Sequence, residues 1–166
     1  MRVLGIDPGS IKVGYAILEK EQDNLKYIFS GMLNLEKQKN FYLRLNLLHH
    51  FFKEIIEQYK PEYFVLESLI YVKNPKSLIK ISQARGAIIS SIPDIFFKNI
   101  YEFSPNTVKS LSTGYGFSSK EIVSKSMNAL FNQEIIMSYD ETDAIAIALC
   151  FFLFEGGSIY DSLDAR

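Results

Sequence analysis

Apolar residues fall along this chain in two rhythms. Short runs such as "RVLGID" (2–7), "GYAILEK" (14–20) and "NLKYIFSGMLNL" (24–35) have the length and β-branched content of strands. The link "PGSIKV" and the polar turn "EQDN" separate them. The period then changes: in "NFYLRLNLLHHFFKEIIEQYK" (40–60) Leu43, Leu47, Leu48, Phe51, Ile55 and Ile56 recur at helical spacing, and Pro61 closes the element. "YFVLES" (63–68) is a short buried strand. "NPKSLIKISQARGAIISSI" (74–92) is a helix with Asn74 as N-cap and Pro75 in its first position. "IFFKNIYEF" (95–103) predicts a fifth strand, "SPNTVKSLS" (104–112) a short helix and "TGYGFSS" (113–119) a glycine-containing loop. Two helices follow, one opening at Ser119-Lys120 and one over "SYDETDAIAIALCFFLF" (138–154).

Three strands joined by short turns favour an antiparallel meander, whereas strands separated by helices favour parallel crossovers. The expected fold is therefore α/β: a mixed five-stranded sheet, antiparallel then parallel, flanked by helices. No repeat or linker divides the chain. A single domain over residues 1–155 with a flexible C-terminal tail over 156–166 is expected.

Composition narrows the class. Of 166 residues, 48% are apolar and 22% charged, an ordinary globular balance. Charges interrupt the apolar runs before they reach the length of a membrane span, and the N-terminus has no signal-peptide pattern, which predicts a cytoplasmic protein. Cys150, in "AIAIALCFF", is the one cysteine and reads as a buried, inert thiol. The net charge of −1 is not that of a strongly basic nucleic-acid binder. If four of the 19 acids were gathered around metal, however, 18 basic residues would face 15 acidic ones, so the total excludes nothing.

The acids carry the chemistry. Asp7 ends the first strand just before Pro8 and Gly9, and Glu67 ends the fourth. A carboxylate at the mouth of a buried strand is costly unless paired, so Asp7 either caps its turn or serves a site. If the two strands are neighbours, both carboxylates emerge at one sheet edge. Ser138 and Glu141 form an S-x-x-E capping box, which assigns Glu141 to the cap and puts Asp140 in the first turn. Asp140 and Asp143 share a helix face that continues through Ala144, Ile147 and Phe151 onto the sheet. Converging carboxylates repel one another, and a hard divalent cation, Mg²⁺ or Mn²⁺, removes the conflict. Such a set suits two-metal phosphodiester hydrolysis, with ions about 3.5–4 Å apart. His49 and His50, adjacent on a helix, point too far apart to share an ion and read as a structural or surface pair.

"GIDPGS…GY", "E…KN…S…K…QARG" and "D..DA.AIA" stand in an order and spacing that resemble the RuvC family, bacterial Holliday junction endonucleases of the RNase H-like superfamily. The resemblance spans residues 1–154. It implies a structure-specific endonuclease that resolves four-way DNA junctions in recombination and repair by paired nicking. Asp7, Glu67, Asp140 and Asp143 match the catalytic, metal-holding acids, with Mg²⁺ (Mn²⁺ substituting) as cofactor and two ions per site. Lys109 and Lys120 match basic residues acting at the DNA backbone near the cut, with no expected role in the fold. Pro8 and Gly9 would then clear space for the substrate backbone. A homodimer, and the RuvA–RuvB branch-migration complex as a further partner, are implied as well. DNA contacts are expected from Ile70, Tyr71, Lys73, Asn74, Lys76 and Arg85. Ile70 stands where family members commonly carry an aromatic, so either Tyr71 supplies the stacking ring, helped by Lys73, or Ile70 alone is the wedge.

Three other readings compete. Sugar kinases and chaperone-type ATPases also open with a strand, an Asp and glycines, but need two such domains. Another RNase H-like nuclease could act on a different structured nucleic acid. A non-catalytic junction binder would gain nothing from clustered negative charge.

Overall fold

The computed structural model describes residues 1–22, 24–69, 74–131 and 138–154. Its strands are β1 (Arg2–Asp7), β2 (Lys12–Glu21), β3 (Asn24–Asn34), β4 (Tyr63–Glu67) and β5 (Ile100–Phe103). They form one sheet in the order β3-β2-β1-β4-β5. β1, β2 and β3 pair antiparallel; β4 joins β1 in parallel and β5 joins β4 in parallel. The helices are α1 (Phe41–Tyr59), α2 (Pro75–Ile89), α3 (Pro105–Thr113), α4 (Lys120–Leu130) and α5 (Tyr139–Phe154).

Strand alternation sorts side chains between two cores. Leu4, Ile6, Val13, Tyr15, Ile17, Phe64 and Leu66 pack under α1 and α2. Val3, Ala16, Leu18 and Val65 pack on the opposite face beneath α5. Asp7 shares parity with Val3, and Glu67 with Val65, so the strands turn both acids toward the α5 face. Burying apolar side chains on both faces makes a register slip costly, which fixes where each strand ends.

The helix ends follow their sequence signals. The Asn40 side chain accepts from the backbone N–H of Tyr42 and Leu43, and that of Asn74 from Lys76 and Ser77. At the far end of α1, Lys60 adopts a left-handed conformation and donates its N–H to the Ile56 carbonyl, one residue before Pro61. His49 Nδ1 lies 3.0 Å from Ser90 Oγ, and its ring meets His50 edge to face, a structural pairing at the α1–α2 surface. Cys150 is fully buried, and burial pushes its thiol up to about 12.

Two elements differ from the sequence pattern. The fifth strand is short: Asp94–Asn99 form a 3₁₀ turn entered through Pro93, and only Ile100–Phe103 join the sheet. Ile95 and Phe97 are exposed there because no layer covers them, while Phe96 alone reaches the α1–α2 core. Helix α5 is not amphipathic. Its residues from Ala144 to Phe151 are all buried, because α3 and α4 cover the side facing away from the sheet.

Candidate active site

Parallel pairing of Ile6 with Leu66 puts the next residues, Asp7 and Glu67, side by side at the same sheet edge. Over that edge comes the N-terminus of α5. The Ser138 N–H donates to Glu141 Oε2 (2.9 Å) and the Glu141 N–H to Ser138 Oγ (3.3 Å), closing the capping box. Ser30 Oγ of β3 also donates to Glu141 Oε1 (3.2 Å), so Glu141 anchors the helix start and is not turned toward the other acids.

The approach of α5 is close enough to dictate residue size. A Cβ on Gly14, paired with Asp7 across β1 and β2, would lie 1.9 Å from the Asp140 carbonyl oxygen. One on Gly5 would lie 2.4 Å from the Ala144 carbonyl. Glycine inside a strand is the sequence signal of such an approach, although glycine carries no functional group of its own. Gly9 has a local reason. Its Cβ would lie 2.0 Å from the Lys12 carbonyl, so the turn into β2 requires glycine there and clearance for a substrate is not needed to explain it.

Asp7, Glu67 and Asp143 line one cavity of about 180 Å³ together with Lys109, Lys120, Pro105, Val108 and Val123. Asp140 stands just outside this lining, and its charge is felt at Asp7 and Lys120. Lys120 Nζ donates to Asp143 Oδ2 at 2.7 Å. Burial, then the negative charges of Glu67 and Asp143, raise the Asp7 carboxyl from 3.8 to about 7, against the opposing pull of Lys120. Burial and Asp143 raise Glu67 in the same way, while Lys120 and Lys109 lower it. For Lys120, burial disfavours the charged ammonium. Its bond to Asp143 and the charges of Asp143, Asp7 and Asp140 outweigh burial and hold it above its ordinary value.

Among the described residues, no three acid, histidine or cysteine side chains stand in a ready chelating arrangement. Mutual repulsion keeps carboxylates apart, and here the Lys120 ammonium supplies the positive charge. The donor chemistry nevertheless fits a hard divalent cation, since every ligating group at the cavity is a carboxylate and none is His or Cys.

The residues expected at DNA divide. Ile70, Tyr71 and Lys73 lie outside the described residues, as does the tail expected at 156–166. Asn74 and Lys76 are exposed at the start of α2, where Asn74 is already engaged as the N-cap. Arg85 departs from its expected role. It is 8% exposed, its Nη1 donates to the Glu67 carbonyl at 3.3 Å, and its Nη2 is paired with Glu102. A guanidinium so enclosed holds α2 against the ends of β4 and β5 and is not offered to a phosphate.

This sheet, antiparallel then parallel and flanked by helices on both faces, is that of the RNase H-like class. The model of the family described as crossover junction endodeoxyribonuclease RuvC matches residues 3–151. The chain belongs to the RuvC family. Curated relatives of that name include one from Thermosipho melanesiensis, 36% identical over 90% of this chain and 96% of its own length. Another, from Geobacter sulfurreducens, is 35% identical over 90% and 91%. In fold, the chain is similar to Thermus thermophilus RuvC in complex with Holliday junction substrate, with a TM-score of 0.80 at 24% identity, covering 94% and 96% of the two chains. It is also similar to the yeast mitochondrial Holliday junction resolvase, with a TM-score of 0.65 at 15% identity, covering 90% and 78%.

Proposed function

We propose that this chain is a metal-dependent endonuclease that resolves four-way DNA junctions in recombination and repair. The observation that carries the reading is the convergence of Asp7, Glu67 and Asp143 with Lys109 and Lys120 around one cavity at the sheet edge. Asp7, Glu67, Asp140 and Asp143 would hold Mg²⁺, or Mn²⁺ in its place, and four acids suit two ions. Bound there, the metal supplies an activated water and neutralises charge on the phosphate. Asp7 must lose its proton to act as a ligand, so its raised pKa makes cleavage fall as the solution is acidified. Lys109 and Lys120 offer ammonium groups to phosphate oxygens and to the charge that builds on them in the transition state.

The family relationship supports the finer parts of the reading. A homodimer sets two such sites against the two strands of a junction, and a branch-migration complex of the RuvA–RuvB kind delivers it. No helix among the described residues is long and apolar enough to cross a membrane, in keeping with a cytoplasmic enzyme.

Cleavage of a four-way junction beside a plain duplex tests the proposal. Paired nicks in the junction, dependent on Mg²⁺ or Mn²⁺ and lost in Asp7→Asn, are expected. Near wild-type cutting by Asp7→Asn would overturn the site, and equal cutting of the duplex would overturn the substrate.

A further inference from the structure

Two large aromatic side chains stand in water between the helices that carry the site lysines. Tyr115 is 62% exposed and Phe117 74%, with ring centroids 5.7 Å apart. They belong to the turn that joins α3, which carries Lys109, to α4, which Lys120 opens. Single exposed apolar residues are common and need no explanation. A pair in the one short turn that links two cavity-lining helices is a different case, because the same burial rule that built both cores has left these two rings outside.

The turn is fixed by its own hydrogen bonds. Gly114, left-handed at φ 81°, caps α3 by donating its N–H to the Ser110 carbonyl at 2.8 Å. Thr113 Oγ1 donates to the Lys109 carbonyl (2.7 Å), accepts the Tyr115 N–H (3.2 Å) and is hydrogen-bonded to the hydroxyl of Ser118 (2.7 Å). The Ser118 N–H donates to the Tyr115 carbonyl at 3.1 Å, and Ser118 is itself buried. Polar side chains thus pin the backbone from inside while the rings face out. Ordering cost is already met in the free protein, as a preorganised contact surface requires.

The geometry points to Tyr115 and Phe117 as a stacking platform for DNA bases next to the cut. This rests on the junction-cleaving function proposed above and adds binding residues to it. DNA is the occupant favoured by charge, since the helices that the turn connects carry Lys109 and Lys120 into the cavity, where they would draw the backbone to this side of the molecule. Aromatic rings accept any base by its face, and a branch point exposes base faces that a duplex keeps stacked.

The test uses the Asp7→Asn protein, so that substrate survives, and a four-way junction carrying 2-aminopurine in turn at each nucleotide flanking the cut. With both rings present, binding should change the fluorescence at one of those positions. Tyr115→Ala and Phe117→Ala should abolish the change and each weaken junction binding by about five- to a hundredfold. The slope of affinity against salt should stay the same, because stacking releases no counterions, whereas Lys109→Ala should lower it by about one. Phe117→Tyr should restore binding, and none of the ring variants should shift the melting temperature. Full affinity with unchanged fluorescence in the alanine variants would overturn the platform. So would a change of oligomeric state without a change in DNA binding, which would assign the rings to a protein contact. A ring-intact protein that binds the junction no better than duplex would overturn the functional reading itself and the platform with it.

Discussion

Asp7 concentrates the energetics of the site in one carboxyl. Its pKa of about 7 in the fold, against 3.8 unperturbed, means that the native state holds a proton that the unfolded chain releases between these values. Stability therefore falls as pH rises through about 4 to 7 and is level beyond, a loss on the order of 4 kcal/mol from Asp7 in the metal-free protein. Glu67 is shifted in the same direction and adds to it. Asp7→Asn should flatten this profile and be more stable than the parent at pH 8, as read from urea unfolding in the presence of a chelator. Added Mg²⁺ should stabilise the parent more at pH 8 than at pH 5; equal stabilisation would separate Asp7 from the metal. Gly14 is the opposite kind of residue, acting by what it lacks. Gly14→Ala puts a methyl against the Asp140 backbone and should cost about 1–3 kcal/mol. Cleavage should fall further than junction binding, because the displaced segment carries Asp140 and Asp143. Unchanged cleavage in that variant would mean that α5 has more freedom than its close approach implies.

Between elements, Arg85 is the tie that sets the end of β4. It links α2 to the Glu67 carbonyl and to Glu102 of β5, whose side chain is 47% exposed. Its removal leaves a partly buried carbonyl short of a donor. Arg85→Ala should lower stability by about 1–3 kcal/mol, the desolvation penalty of an orphaned acceptor. It should also slow cleavage through Glu67 while leaving the salt slope of junction binding unchanged. A slope reduced by about one would return Arg85 to phosphate contact. Helix α5 makes the same point through packing. Its capping box and its bond to Ser30 fix where it starts, and burial on every side fixes its rotation, so Asp143 meets Lys120 without freedom to turn away.

At the level of the whole molecule, the net charge of −1 hides a division of labour. Acids and lysines line the same cavity, so under the proposed function Lys109 and Lys120 would draw the phosphates in while the carboxylates oppose them in the absence of a cation. A chelator should therefore abolish cleavage while junction binding survives. Sedimentation should give twice the 19.0 kDa chain mass at the concentrations that produce paired nicks. A monomer that cuts both strands in one binding event would overturn the dimer.

Signals that act over a few residues were legible in the chain. The strand period placed Asp7 and Glu67 at strand ends, helical spacing marked α1, the N-cap at Asn74 opened α2, and the S-x-x-E box separated Glu141 from Asp140 and Asp143. Each depends on backbone geometry within one turn or one pleat, so sequence alone determines it. What depended on distant partners was not legible. Apolar runs do not record whether a layer will cover them, so "IFFKN" read as strand and folded as a 3₁₀ turn at an uncovered edge. A charge carries no mark of its destination, so Arg85 read as a DNA contact until α2, β4 and β5 enclosed it. That β4 lies beside β1, that Gly14 must be bare under Asp140, and that Lys120 faces Asp143 follow from packing two layers of helices on one sheet. Tertiary structure decided them, because close packing and the low dielectric of a buried edge arise only when segments far apart in sequence share the same space.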